Sequence, residues 1–182
     1  MSFNAKDIYS IVNNSYKLDN AYEEWREYRE RITNFIIKHT TPGKTIAIFG
    51  VGESNDIDLK QIYDHLGYIT LIDIREEEMQ KALVKYGLVG KPNITTICRD
   101  FLGITKEEYL DVINICIQDM KRAKQFFSPL ITAPKVVEKM KDIYDRVNSK
   151  PVELGEECFD YTVMIGVHSQ INAFIEHVWS FF

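Results

Sequence analysis

The 182-residue sequence lacks the features that mark disulfide-rich, zinc-binding and membrane-spanning proteins. Its three cysteines are an odd number without the C-x-x-C spacing of a zinc site, so we expect reduced thiols and no metal. No apolar run reaches the roughly 18 residues of a membrane span, and no basic stretch followed by an apolar block opens the chain. These absences predict a cytoplasmic protein that does not bind membranes.

Positive charge is also in deficit. Lys and Arg number 22 against 27 Asp and Glu, which gives a formal net charge of −5. Such a chain has no general attraction to phosphate backbones, so we expect no nucleic-acid partner, while a local basic patch stays open. No repeat, low-complexity tract or break in composition divides the sequence, which favours a single domain.

The sequence does contain an alternation of strand-like and helix-like segments. Short apolar runs such as TIAIF at residues 45–49 are typical of parallel strands that are buried on both faces. Strands that alternate with helices predict a parallel α/β sheet with helices on both faces. The predicted elements are helix 21–39, strand 45–49, helix 56–66, strand 68–72, helix 75–86, strand 93–98, helices 106–127 and 134–148, strand 161–167 and helix 170–179.

Glycines and acids follow successive predicted strands. Gly50 and Gly52 lie at the first strand-to-helix turn, where glycine lets the backbone approach a ligand; the alternative is a tight turn without a ligand. The next strand is followed by Asp73, which can accept both hydroxyls of an adenosine ribose or, alternatively, cap a helix. Asp100 and Phe101 follow the third strand. We therefore expect the polar groups after these strands to face one crevice.

These residues resemble the class I S-adenosylmethionine-dependent methyltransferases, a family with a Rossmann-like sheet, over roughly residues 45–100 and 159–179. The resemblance implies S-adenosylmethionine as cofactor and a small-molecule acceptor. It also implies that the glycine turn lies against the amino-acid part of the cofactor. The acid after the second strand would bind the ribose, and the acid after the third strand would bind the adenine. The residues carried over from the family are Gly50, Gly52, Asp73, Asp100 and Phe101, and their neighbours Ser54, Asn55 and Ile74 are further candidates for cofactor binding.

The chain departs from the family pattern at the glycine turn. Ile48 stands where the family often has an acid, and Ser54 stands where it usually has a third glycine. Methyl transfer from a sulfonium mainly requires that two reactants are positioned and water is excluded. If the acceptor is a hydroxyl or an amine, His168 after the fourth strand is the candidate catalytic base; the alternative is a surface histidine without a role.

Other sequence signals point elsewhere or to packing. The Gly-Lys-Thr of residues 43–45 precedes its strand, which excludes a phosphate loop, and Asn55 replaces the third glycine of the dinucleotide fingerprint, which disfavours an NAD-dependent dehydrogenase. Tyr22, Trp25 and Tyr28 recur at helical spacing and predict core packing; by the resemblance, this helix would alternatively cover the cofactor.

With this resemblance, we interpret the whole chain as one methyltransferase-like domain. It divides into N-terminal helices (1–43), a cofactor-binding half (44–103), a helical insertion (104–158) and the fourth strand with the last helix (159–182), with the strand order 3-2-1-4. The uncharged edge strand 161–167 and the aromatic C-terminus predict either a homodimer through this edge or a shortened version of a longer methyltransferase-like protein. The alternatives to an enzyme are a non-catalytic S-adenosylmethionine-binding or nucleotide-binding module and a structural partner domain.

Overall fold

The computed structural model describes residues 4–14, 20–100, 103–122, 128–149, 158–165 and 176–180. Its helices are α1 (Ala5–Asn14), α2 (Ala21–Glu24), α3 (Arg26–His39), α4 (Leu59–His65), α5 (Glu76–Lys85), α6 (Lys106–Arg122) and α7 (Pro129–Ser149), and residues 176–180 are helical as well. Its strands are β1 (Thr45–Phe49), β2 (Tyr68–Asp73), β3 (Ile94–Cys98) and β4 (Tyr161–Met164).

The chain forms two compact units. Residues 18–101 and 154–168 contain the strands together with α2 to α5, and we call them the sheet unit. Residues 1–17, 102–153 and 169–182 contain α1, α6 and α7, and we call them the helical unit. The assignment of the chain to a single domain stays a prediction.

The sheet unit contains a parallel sheet with the order β3-β2-β1-β4. Ile48 of β1 aligns with Leu71 of β2 on one side and with Val163 of β4 on the other. The predicted Rossmann-like α/β sheet and its strand order are therefore confirmed, and β4 is an edge strand among the described strands.

Both faces of the central strands β1 and β2 are buried, as their nearly continuous apolar sequences predict, whereas β3 and β4 consist of half-buried and exposed residues. On one face Ile48 and Leu71 belong to a core cluster that includes buried side chains from α3, α4 and α5. On the opposite face Ala47 and Ile72 are buried in a smaller cluster. This packing fixes the strands, so the loops at their ends have a rigid base.

The helical unit is assembled from distant parts of the sequence. Ile8 of α1, Ile113 of α6, Ile143 of α7 and Val178 near the C-terminus share one hydrophobic core. Helix α1 of the N-terminal extension and the helices of the insertion, which the sequence predicts as separate additions, therefore pack on each other. None of the helices in the described parts of either unit is both long enough and apolar enough to span a membrane.

Several predicted helix bounds were wrong. The helix predicted over 21–39 is divided at Trp25, whose φ of −92° and ψ of 17° depart from helical values. The helix predicted from residue 56 begins at Leu59, because the preceding residues belong to the turn after β1. The helix predicted from Pro134 begins at Pro129, since proline suits the first helical turn. Residues 166–175 of the last predicted strand and helix lie outside the described residues.

Candidate functional site

Hydrogen bonds join the carboxyl ends of β1, β2 and β3. The N–H of Gly50 donates to the carbonyl of Ile72 at 2.8 Å, and the N–H of Arg99 donates to the carbonyl of Asp73 at 2.9 Å. Asp100 directly follows Arg99, and it is half-buried. The structure therefore brings the polar residues after three parallel strands to one edge of the sheet, which is where α/β folds bind ligands.

Asp73 links two of these strand ends through its side chain. It is the last residue of β2 and is only 5% exposed. Its Oδ2 accepts the N–H of Gly52 at 2.7 Å, and its Oδ1 accepts the N–H of Arg75 at 2.9 Å. The N-cap residue of α5 is Arg75, so the alternative reading of Asp73 as a helix cap was wrong. A carboxylate has about four acceptor positions, so Asp73 can hold these two N–H groups and still accept hydroxyls.

The segment between β1 and α4, residues 50–58, we call the glycine turn. Gly50, Gly52 and Ser54 have φ values of 70°, 46° and 52°, so alternate residues adopt the left-handed conformation. This conformation is free of strain for glycine but costs about 1–2 kcal/mol for a residue with a side chain. At Gly52, a Cβ atom would make only an ordinary contact at 3.7 Å with Oε2 of Glu78, so the backbone conformation and not a lack of space accounts for this glycine. The two glycines therefore serve the backbone path of the turn.

Side chains of α3 and of the end of α5 bind the carbonyl groups of the glycine turn. The bonds run from Lys85 Nζ to Glu53 O (2.9 Å), from Arg29 Nη1 to Asn55 O (3.0 Å), and from the Tyr86 hydroxyl to Ser54 O (2.9 Å) and Ile57 O (2.8 Å). Burial raises the pKa of Tyr86 well above its usual range, so its hydroxyl stays protonated and can donate. Sequence reasoning missed these three residues because they belong to no motif.

Two predicted cofactor ligands in the turn are engaged within the protein. Ser54 is 1% exposed, and its hydroxyl donates to the carbonyl of Ile57 at 3.0 Å. The side-chain oxygen of Asn55 accepts from Lys85 Nζ at 2.5 Å. Beside them, burial raises the pKa of Asp56 to about 6, against the opposing effect of Lys85. Cofactor binding by Ser54 and Asn55 stays a prediction.

The remaining predicted residues differ in what the structure describes. Ile74, directly after Asp73, is 53% exposed and presents an apolar side chain at the edge. Phe101 and His168 lie outside the described residues, so their roles stay predictions. Within the described ranges no group of three or more His, Cys, Asp or Glu side chains is placed to hold a metal ion.

The groups that could bind a phosphate here, the N–H groups at the start of α4 and a nearby guanidinium, already interact with carboxylates of the protein. Helix α4 begins only at Leu59, and Asp58 Oδ1 already accepts the N–H groups of Lys60 and Gln61 at 3.0 and 3.1 Å. Near Gly52, the guanidinium of Arg75 pairs with the carboxylate of Glu78 at 3.1 Å. The edge of the sheet therefore suits a ligand that brings hydroxyls and apolar surface better than one that brings phosphate.

The aromatic stripe before β1 differs from its predicted packing. Tyr22 is half-buried, with the Arg29 guanidinium 3.8 Å from the centre of its ring. Trp25 is 38% exposed and Tyr28 48% exposed, so the prediction that they pack in the core was wrong. Their rings contact each other edge to face, with centroids 6.5 Å apart. A role of this helix in covering a cofactor stays a prediction.

Comparison with known proteins gives partial similarities of structure. No protein-family model and no curated protein matches the sequence. The N-methyltransferase NodS from Bradyrhizobium japonicum is 16% identical, over 48% of this chain and 46% of that one, with a TM-score of 0.35. The chain is similar to methyltransferases of known structure.

Two further solved structures are similar to the same extent. YjhP from E. coli is 21% identical over 53% of this chain and 38% of its own, with a TM-score of 0.36. Magnesium protoporphyrin IX methyltransferase (ChlM) from Synechocystis, solved with bound SAH, is 13% identical over 54% and 48%, with a TM-score of 0.36. The chain spans less than half the length of each of the three proteins.

Proposed function

We propose that this chain binds S-adenosylmethionine at the carboxyl edge of its sheet and acts as a methyltransferase on a small-molecule acceptor. The observation that carries the proposal is Asp73, a buried carboxylate at the end of β2 that binds the N–H of Gly52 and precedes the exposed Ile74. This arrangement places hydroxyl acceptors, apolar surface and a glycine backbone together. A ribose, an adenine and an amino-acid group need those three kinds of contact.

Each part of the proposed ligand has residues that suit it. Asp73 would accept the ribose hydroxyls with its remaining acceptor positions. Ile74 would pack on the adenine ring, and Asp100, after β3, would accept its amino group. The glycine turn at Gly50 and Gly52 would lie along the amino-acid part. When bound, S-adenosylmethionine supplies a methyl group already activated on a sulfonium, so the protein has mainly to orient the reactants and exclude water.

The geometry of the turn favours this ligand over a dinucleotide. A dinucleotide site places its pyrophosphate on a helix N-terminus that directly follows the glycine turn. Here α4 is short and begins well beyond Gly50, and the carboxylate of Asp58 accepts its first N–H groups. A pyrophosphate at α4 would compete with Asp58 for the same donors and be repelled by its charge.

Isothermal titration calorimetry with S-adenosylhomocysteine tests the proposal without knowledge of the acceptor. We expect one molecule to bind per chain, and NAD⁺ to bind at least tenfold more weakly. Asp100→Ala should weaken S-adenosylhomocysteine binding while the melting temperature stays close to that of the wild type, because Asp100 is half-buried at a loop. A wild-type chain that binds no S-adenosylhomocysteine would overturn the proposal.

Turnover, location and assembly need their own tests. Binding of S-adenosylhomocysteine without methyl transfer to any acceptor would indicate a non-catalytic module. His168 as the base, a homodimer through the β4 edge and a cytoplasmic location stay predictions from the sequence.

A further inference from the structure

The glycine turn holds one residue in a backbone conformation that its residue type does not favour. Three alternate residues are left-handed, and one of them, Ser54, is not glycine. A non-glycine residue in this region persists only where its surroundings hold it there. The turn therefore depends on side chains from elsewhere for the shape that it presents at the edge of the sheet.

Lys85 is the accessible member of the set of side chains that binds the turn. Arg29 is 7% exposed and Tyr86 8% exposed, whereas Lys85 lies exposed at the end of α5. Lys85 Nζ donates to the carbonyl of Glu53 at 2.9 Å and to Oδ1 of Asn55 at 2.5 Å. It thus binds the residues on both sides of the strained Ser54. Removing its amine would free this part of the turn without opening the core.

Lys81, one helical turn earlier, offers a matched comparison. Both lysines bind Glu53. Lys81 Nζ donates to the side-chain Oε1 of Glu53 at 3.2 Å, whereas Lys85 Nζ donates to its backbone carbonyl at 2.9 Å. The two lysines therefore share a helix, a charge and a neighbour. They differ in that Lys85 holds the main chain of the turn, donates to the side chain of Asn55 and lies 4.7 Å from the centre of the Tyr22 ring.

We infer that Lys85 is a positioning residue for ligand binding, which sets the glycine turn against the amino-acid part of the ligand. The inference rests on the proposed function, in which Asp73 and Ile74 bind the adenosine part and the turn binds the rest. Lys85 does not contact the ligand in this scheme. Its loss should weaken the contacts that the turn makes and leave the adenosine contacts intact.

Calorimetry with two ligands separates these contacts. S-adenosylhomocysteine carries the amino-acid group, and 5′-methylthioadenosine lacks it. For Lys85→Met we expect S-adenosylhomocysteine to bind about three- to tenfold more weakly, the effect of one or two lost hydrogen bonds. Binding of 5′-methylthioadenosine should be unchanged. Lys81→Met should leave both affinities unchanged, and Lys85→Arg should restore most of the loss, because the guanidinium can also donate to these oxygens.

Hydrogen–deuterium exchange of the ligand-free protein provides the second readout. In Lys85→Met the amides of residues 51–57 should exchange faster than in Lys81→Met. Equal loss of affinity for both ligands would indicate a general structural effect and overturn the inference, as would wild-type affinity for S-adenosylhomocysteine. A wild-type chain that binds neither ligand would overturn the proposed function and the inference together. The titration of the wild type therefore separates this outcome from the others, in which the wild type binds and only the variants differ from expectation.

Discussion

Replacement of Asp73 by alanine should reduce both the stability of the fold and the affinity for the ligand. The carboxylate accepts the N–H groups of Gly52 and Arg75 at 2.7 and 2.9 Å. Each lost bond costs about 1–1.5 kcal/mol, and water can reach both half-buried residues in part, so we expect the free energy of unfolding to fall by about 2 kcal/mol. Loss of the acceptors for the ribose should make the binding free energy of S-adenosylhomocysteine less favourable by about 1–3 kcal/mol, which is a roughly five- to 150-fold loss of affinity.

Urea denaturation and calorimetry measure the two effects separately. Glu77→Ala is the control for stability, because Glu77 is an exposed acid in the first turn of α5 and its loss should cost about 0.5 kcal/mol or less. Asp73→Asn keeps one carboxamide oxygen, so its loss of stability should lie between those of alanine and the wild type. Unchanged stability in Asp73→Ala would refute the role of Asp73 in holding the glycine turn. Unchanged affinity for S-adenosylhomocysteine would refute the ribose assignment.

Two further predictions use other parts of the sheet unit. Cys98 is exposed at the end of β3 in register with Asp73, so bound S-adenosylhomocysteine should slow its alkylation. Cys158 is the control: it is also exposed, but it precedes β4 at the opposite edge of the sheet, so its alkylation rate should not change. Mass spectrometry measures both rates. Equal protection of both thiols would count against a ligand at this edge. Hydrogen bonds from the backbone and side chain of Thr45, and then from Lys44, lower the pKa of Asp160 from 3.8 to about 2. The stability that its carboxylate contributes is therefore present above about pH 3.8 and lost as the pH falls towards 2, so the difference in urea midpoint between wild type and Asp160→Asn should shrink over that window. A difference that stays constant would refute this linkage.

The sheet could be predicted from the sequence alone, and so could the edge at which we propose the site. The run at 45–49 was predicted with the bounds of β1, since short apolar segments rich in β-branched residues carry their own local signal. The alternation of strands and helices indicated the parallel sheet, and parallel strands place their carboxyl ends on one edge. Because β2 ends at Asp73, that rule places Asp73 at this edge of the sheet.

The side chains that hold the glycine turn became apparent only from the three-dimensional structure. Lys85 and Tyr86 lie about 30 positions from the carbonyls that they bind, and no spacing in the sequence links such residues. The sequence also could not show that Ser54 is left-handed, because that conformation is imposed by the surrounding contacts and not by the residue type.

The same reason explains the helical unit and the exposed aromatics. Helical periodicity marks a face that is apolar, but it does not identify what covers that face. Trp25 and Tyr28 keep the predicted spacing and are nevertheless exposed, whereas Ile8 and Ile113, more than 100 residues apart, share a core. Local pattern fixes which segments become helices and strands, and the long-range packing that the pattern does not encode decides their partners.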